Sequence, residues 1–131
     1  MTLGKGAVSA KSAKHKLNTR SSTESEIVGI DDLMPDILWV NNFLEEQGYE
    51  SKGTILHQDN TSTMAWIQNG RQSVGKRAKH INVRFFFIND RVKRGEISVN
   101  NCPTGDMIAD FQTKPLQGAK FLKFRQAIMG E

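Results

Sequence analysis

A single cysteine, Cys102, stands in the 131 residues, which excludes an internal disulfide framework and a cysteine-rich zinc site. Prolines number three, at Pro35, Pro103 and Pro115, so long stretches are free to be helical. No apolar run is long enough to span a bilayer, and Met1-Thr2-Leu3-Gly4-Lys5-Gly6 lacks the apolar core of a secretory signal. These absences imply no membrane and set the cytoplasm or nucleus as the expected compartment. Acidic residues are missing from the first 23 positions. What is present is ordinary for a folded protein: 37% hydrophobic and 24% charged residues, enough for one domain with a real core.

The net charge of +4 hides a segregation. Lys5, Lys11, Lys14, Lys16 and Arg20 precede any acid. Residues 24–50 then carry eight acids and no Lys or Arg. Residues 71–94 hold Arg71, Lys76, Arg77, Lys79, Arg84, Arg91, Lys93 and Arg94 against Asp90 alone. Basic blocks of this kind favour a polyanionic partner such as a phosphate backbone, with a merely solvated basic surface as the plain alternative.

Periodicity predicts α/β layers in the order β-β-α-β-α-α-β-α-α. Ala7–Ser12 and Leu17–Arg20 read as strand or edge segments. Thr23 and Glu26 fit a capping box that opens a helix over 24–47, with Ile27, Ile30, Met34, Ile37, Leu38 and Leu44 at helical spacing. Pro35 predicts a kink or a restart there, and Gly48 a C-cap. Thr54–His57 reads as a strand, 60–68 as a helix and 69–75 as a loop. A helix over 78–93 follows, its buried face left ambiguous by Phe85-Phe86-Phe87, and Gly95 ends it. Residues 96–100 alternate as a strand. Thr104 is expected to cap a helix to about Gln112, and 118–129 reads as a final amphipathic helix.

Three carboxylates occupy awkward places. Glu26 lies in the first turn of an apolar-faced helix, Asp59 ends an apolar strand, and Asp110 is embedded in Met107-Ile108-Ala109-Asp110-Phe111. Should the strand end and the two helices converge, like charges would share one small volume and call for a cation. An oxygen-only set suits a hard ion such as Mg2+. Ligands in open α/β sheets also sit beyond the carboxyl ends of strands, where Asp59 stands. Each carboxylate has a plainer reading. Glu26 could serve only as the capping-box acid, Asp59 could N-cap the next helix, and Asp110 could be an exposed helix residue with Asp106 as its competitor. His57 reads as core or cross-strand packing. His80 reads equally as a phosphate contact or a locally bonded ring. Cys102 has no adjacent base in sequence to make it a nucleophile.

Four segments carry a specific resemblance. Lys16-Leu17-Asn18-Thr19-Arg20-Ser21-Ser22-Thr23-Glu24-Ser25-Glu26 resembles the entry to the first helix of the RNase H domain in copia-type retrotransposon Pol polyproteins. Gln58-Asp59-Asn60-Thr61-Ser62 is similar to the strand end of that domain. Lys79-His80-Ile81-Asn82-Val83-Arg84 matches its Lys-His-Ile-x-x-Arg helix. Ile108-Ala109-Asp110-Phe111-Gln112-Thr113-Lys114-Pro115-Leu116 matches its closing Ala-Asp-x-x-Thr-Lys-Pro-Leu signature. The matches fall in family order over nearly the whole chain.

The resemblance implies an RNase H-like mixed sheet flanked by helices over residues 1–116, with 117–131 as a C-terminal amphipathic extension. It implies an endonuclease that hydrolyses the RNA strand of an RNA–DNA hybrid during reverse transcription. Two Mg2+ or Mn2+ ions would activate the attacking water and stabilise the leaving oxygen. Glu26, Asp59 and Asp110 become the catalytic metal ligands, and Arg71, Lys76, Arg77, Lys79, His80 and Arg84 the contacts to the hybrid, read by shape and 2′-OH groups. The reverse transcriptase domain of the same polyprotein becomes a partner. The sequence departs from the family in two respects. The family's first strand carries a further aspartate, and no acid precedes Glu24 here. The expectation is therefore an N-terminally truncated domain, inactive or nearly so alone, or else a non-catalytic nucleic-acid-binding remnant or a decayed pseudo-domain. Many RNases H also carry a histidine where Cys102 stands.

Overall fold

The computed structural model describes residues 1–69 and 79–131. Those residues fall into two compact units, His15–Cys102 and Met1–Lys14 together with Pro103–Glu131.

In the larger unit the first element is helix α1, Ser22–Glu46. Its start differs from the expected capping box. Ser21 is the N-cap, with extended backbone, and its hydroxyl accepts from the Glu24 amide at 3.2 Å. The Glu24 carboxylate reaches back to accept from the Arg20 amide at 2.8 Å. The box is thus Ser21 to Glu24, two residues earlier than Thr23 to Glu26, and Thr23 is buried inside the first turn. Pro35 lies within α1 and does not split it into two helices. Gly48, at φ +84°, closes the helix, with the Gly48 amide on the Glu45 carbonyl and the Tyr49 amide on the Leu44 carbonyl, the paired bonds of a Schellman end.

Strand β1, Thr54–Gln58, runs parallel to β2, Ile97–Asn101, with Thr54 opposite Ile97 and Gln58 opposite Asn101. Between them lie α2, Thr61–Asn69, and α3, Lys79–Lys93. The connection from β1 to its parallel neighbour needs such a helical crossover. Helix α1 packs on α3 and α2. Ile27, Ile30, Met34 and Ile37 of α1 are buried with Ile67, Ile81, Phe85, Ile88 and Ile97. The triple phenylalanine resolves by helical phase: Phe85 joins Ile81 and Ile88 inside, while Phe86 is half exposed. Buried Asn89 donates to the Ile67 carbonyl at 2.8 Å, satisfying a helix-end acceptor of α2.

In the smaller unit, Ala7–Ser12 forms no strand; a lone antiparallel bridge joins Thr2 to Ala7. Gly4 and Gly6 both hold positive φ and turn the chain back within a few residues, so no ladder can extend. In the larger unit Leu17–Arg20 is likewise irregular. The helix expected from Thr104 is broken into a 3-10 turn, Thr104–Asp106, and a single α turn, α4, Asp110–Thr113. Helix α5, Gly118–Met129, has the expected bounds. Phe111 stacks on Phe121 across α4 and α5, with centroids 5.2 Å apart. The described residues are thus a mixture of helix and a small parallel sheet. None of their helices is long and apolar enough to cross a membrane.

Candidate functional site

The carboxyl end of β1 is organised by a residue the sequence did not single out. Gln58 is 4% exposed, and every polar group of its side chain is engaged. Its Oε1 accepts from the Asp59 amide at 2.9 Å and the Asn60 amide at 3.0 Å. Its Nε2 donates to Glu26 Oε2 at 3.2 Å. Its backbone carbonyl accepts from the Cys102 amide at 2.9 Å, continuing the parallel pairing past β2. One glutamine therefore fixes the turn out of the strand and tethers the α1 carboxylate to it. The only signal in sequence was a long polar residue immediately before Asp59, which does not by itself announce burial.

This network bears on the plain readings. Glu26 is not the capping acid, because Glu24 holds that position, and Glu26 is exposed with its carboxylate on Gln58. Asp59 does not cap α2. Asn60 does, its Oδ1 accepting from the Thr63 amide at 3.1 Å. Asp59 is half-buried at the strand end. His57 lies on the exposed face of β1 opposite Asn100, so it is not a core residue.

In the other unit, Asp110 opens α4 and is 7% exposed, so it is no surface helix residue. Lys114 Nζ stands 2.9 Å and Lys120 Nζ 3.9 Å from its Oδ2. A buried carboxylate with two ammonium groups is neutralised locally. Asp106, its competitor, is exposed and pairs with Lys123 at 2.6 Å. That hydrogen bond and the charge of Lys123 hold the Asp106 carboxyl below the usual carboxylate range.

Of the basic residues, Arg84 is already committed. Its guanidinium pairs with Asp31 and, at 3.2 Å, with Asp32, joining α3 to α1. Lys79 and His80 open α3. Arg71, Lys76 and Arg77 lie outside the described residues. Among the described residues no three of His, Cys, Asp or Glu form a group that could hold a metal ion. The Glu26–Asp59 end nonetheless offers the donor type a hard ion takes. Mg2+ is commonly held by one or two carboxylates and completes its shell with water and phosphate oxygens.

Geometry alone defines a helix-and-strand unit in which Gln58 ties the Glu26 carboxylate and the Asp59 amide to one strand end. Comparison supplies the relatives. Over 127 residues, 96% of this chain, it is 32% identical to the retrovirus-related Pol polyprotein from transposon RE2 of Arabidopsis thaliana. It is 31% identical over the same length to that from transposon RE1 of the same plant. Over 120 residues it is 29% identical to that from transposon TNT 1-94 of Nicotiana tabacum. The chain spans 8–9% of the length of these curated relatives. No family model matches. No solved structure matches either. The chain is thus a homologue of a short stretch of retrotransposon Pol polyproteins.

Proposed function

We propose that this chain is the RNase H-type part of a retrotransposon Pol polyprotein, built to hydrolyse the RNA strand of RNA–DNA hybrids with divalent metal ions. The observation that carries the proposal is the Gln58 bridge, which binds Glu26 to the Asp59–Asn60 turn at the carboxyl end of β1. Carboxylates gathered at such a strand end are suited to a cation and a phosphodiester. Glu26 and Asp59 would hold Mg2+ or Mn2+, and Asp110 is the third carboxylate that the family resemblance assigns to the reaction. When bound, the ions would supply an activated water and charge stabilisation at the leaving oxygen. The reverse transcriptase portion of the same polyprotein would be the natural neighbour.

Activity of the chain alone is expected to be weak, because Lys114 and Lys120 already neutralise Asp110. The same ion pairs favour a second reading, a non-catalytic nucleic-acid-binding module. A cleavage assay on a labelled RNA–DNA hybrid, with Mg2+ and with Mn2+, decides between them. The nuclease reading expects slow, metal-dependent cleavage that Asp59→Asn abolishes. No cleavage by a folded sample, with salt-sensitive hybrid binding indifferent to Mg2+ and to Asp110→Asn, would replace it with the second reading.

A further inference from the structure

Helix α1 has an outer face that the strand-end carboxylates do not use. Its core line runs through Ile27, Ile30, Met34 and Ile37. At 3.6 residues per turn the opposite line runs through Asp32, Asp36, Trp39, Phe43 and Glu46. Trp39 is 66% and Phe43 48% exposed, yet their rings stack, with centroids 5.4 Å apart and planes within 9°. Aromatic rings of this size bury about 150–250 Å² each when covered, and an exposed apolar patch on that scale marks an interaction surface. The two rings hold each other, so a partner that covers them freezes few additional torsions.

The flanks define the partner's chemistry. Asp36 and Glu46 frame the pair, both exposed, and neither forms an ion pair among the described residues. Residues 24–50 carry eight acids and no Lys or Arg. A base-stacking platform sets aromatic rings in a positive groove, whereas this face repels phosphate. We infer that the outer face of α1 docks a basic polypeptide segment of another protein, with a Lys or Arg side chain over the Trp39–Phe43 stack and its charge shared with Asp36 and Glu46. The inference stands whether or not the chain is a nuclease.

The test is fluorescence anisotropy of a labelled twelve-residue alternating Arg-Leu peptide titrated with the full chain. Saturable binding that weakens with salt is expected, with no binding of the corresponding Glu-Leu peptide. Trp39→Ala should weaken binding by about tenfold or more. Glu46→Lys, at an exposed position in the last turn of α1 where a positive charge suits the helix end, should weaken it several-fold and flatten the salt dependence. Val83→Ala, exposed on α3, should change nothing. Unchanged binding in both Trp39→Ala and Glu46→Lys would overturn the inference. Displacement of the peptide by oligothymidylate would do the same. Self-association lost in Trp39→Ala would overturn it too, by assigning the face to a second copy.

Discussion

Gln58 shows how much one buried amide can decide. Replacing it by Leu leaves the Asp59 and Asn60 amides without their acceptor and releases Glu26. A loss of about 1–3 kcal/mol is expected in urea denaturation, typical of leaving buried polar groups unsatisfied. If the carboxylates bind Mn2+, the same variant should weaken that binding measured by calorimetry. In the other unit, Asp106 carries a pH dependence whose sign is fixed by its depressed pKa, set first by the Lys123 hydrogen bond. The stabilisation is present above the ordinary aspartate range and is lost as pH falls through the lowered value. Carbon-13 NMR should find the Asp106 carboxyl titrating below an ordinary aspartate, and Lys123→Met should return it to the ordinary range. At this scale the sequence singled out Asp110 from its embedding among apolar neighbours, and the structure buries it while Asp106 stays exposed on Lys123. The sequence was silent on Gln58, because a strand's last polar side chain can face either side with equal ease, and only the packing of α1 settles which.

Elements were more legible than their ends. The expected box is Thr23-x-x-Glu26, and the observed one, Ser21-x-x-Glu24, fits the same pattern two residues earlier. The burial of Thr23 and the bond from the Arg20 amide to the Glu24 carboxylate select the earlier one. Ser21→Ala should therefore cost about 1 kcal/mol of stability. Glu24→Gln should weaken the helix start, whereas Glu26→Gln should leave it unchanged, as thermal unfolding would report. Two glycines separate conformational from steric demand. Gly48 holds φ +84° with open space around it, so Gly48→Ala should cost about 1 kcal/mol. Gly53 holds φ +83°, and an added Cβ would stand 2.7 Å from the Gly95 carbonyl oxygen. Gly53→Ala should be clearly more damaging, and equal costs would remove the steric argument. Alternation over a few residues makes no strand without a partner, and near Ala7 the chain bends at Gly4 and Gly6 before one can form.

At the scale of the whole molecule, apolar burial is unevenly shared. Of the fully buried apolar residues described, Phe124 alone lies outside His15–Cys102. Cooperative stability follows buried apolar surface, so hydrogen exchange should find the slowest amides in α1, α3 and the β1–β2 pair. Amides of α5 should exchange earlier. Uniform protection through both units would contradict that division. The mixture of helix and strand was legible from periodicity, and the division into two units was not, because it depends on which segments pack together across long stretches of chain.

The parallel pairing of β1 with β2 also sets an order of events during synthesis. Thr54–Gln58 leaves the ribosome roughly forty residues before its partner Ile97–Asn101, which at about 5–20 residues per second is a wait of about 2–8 s. Through that interval β1 has no strand to pair with, and the α1 and α2 contacts are the local shelter on offer. The nascent chain therefore passes through a helical stage that carries an open strand edge, and the sheet closes only as the last residues of the larger unit emerge.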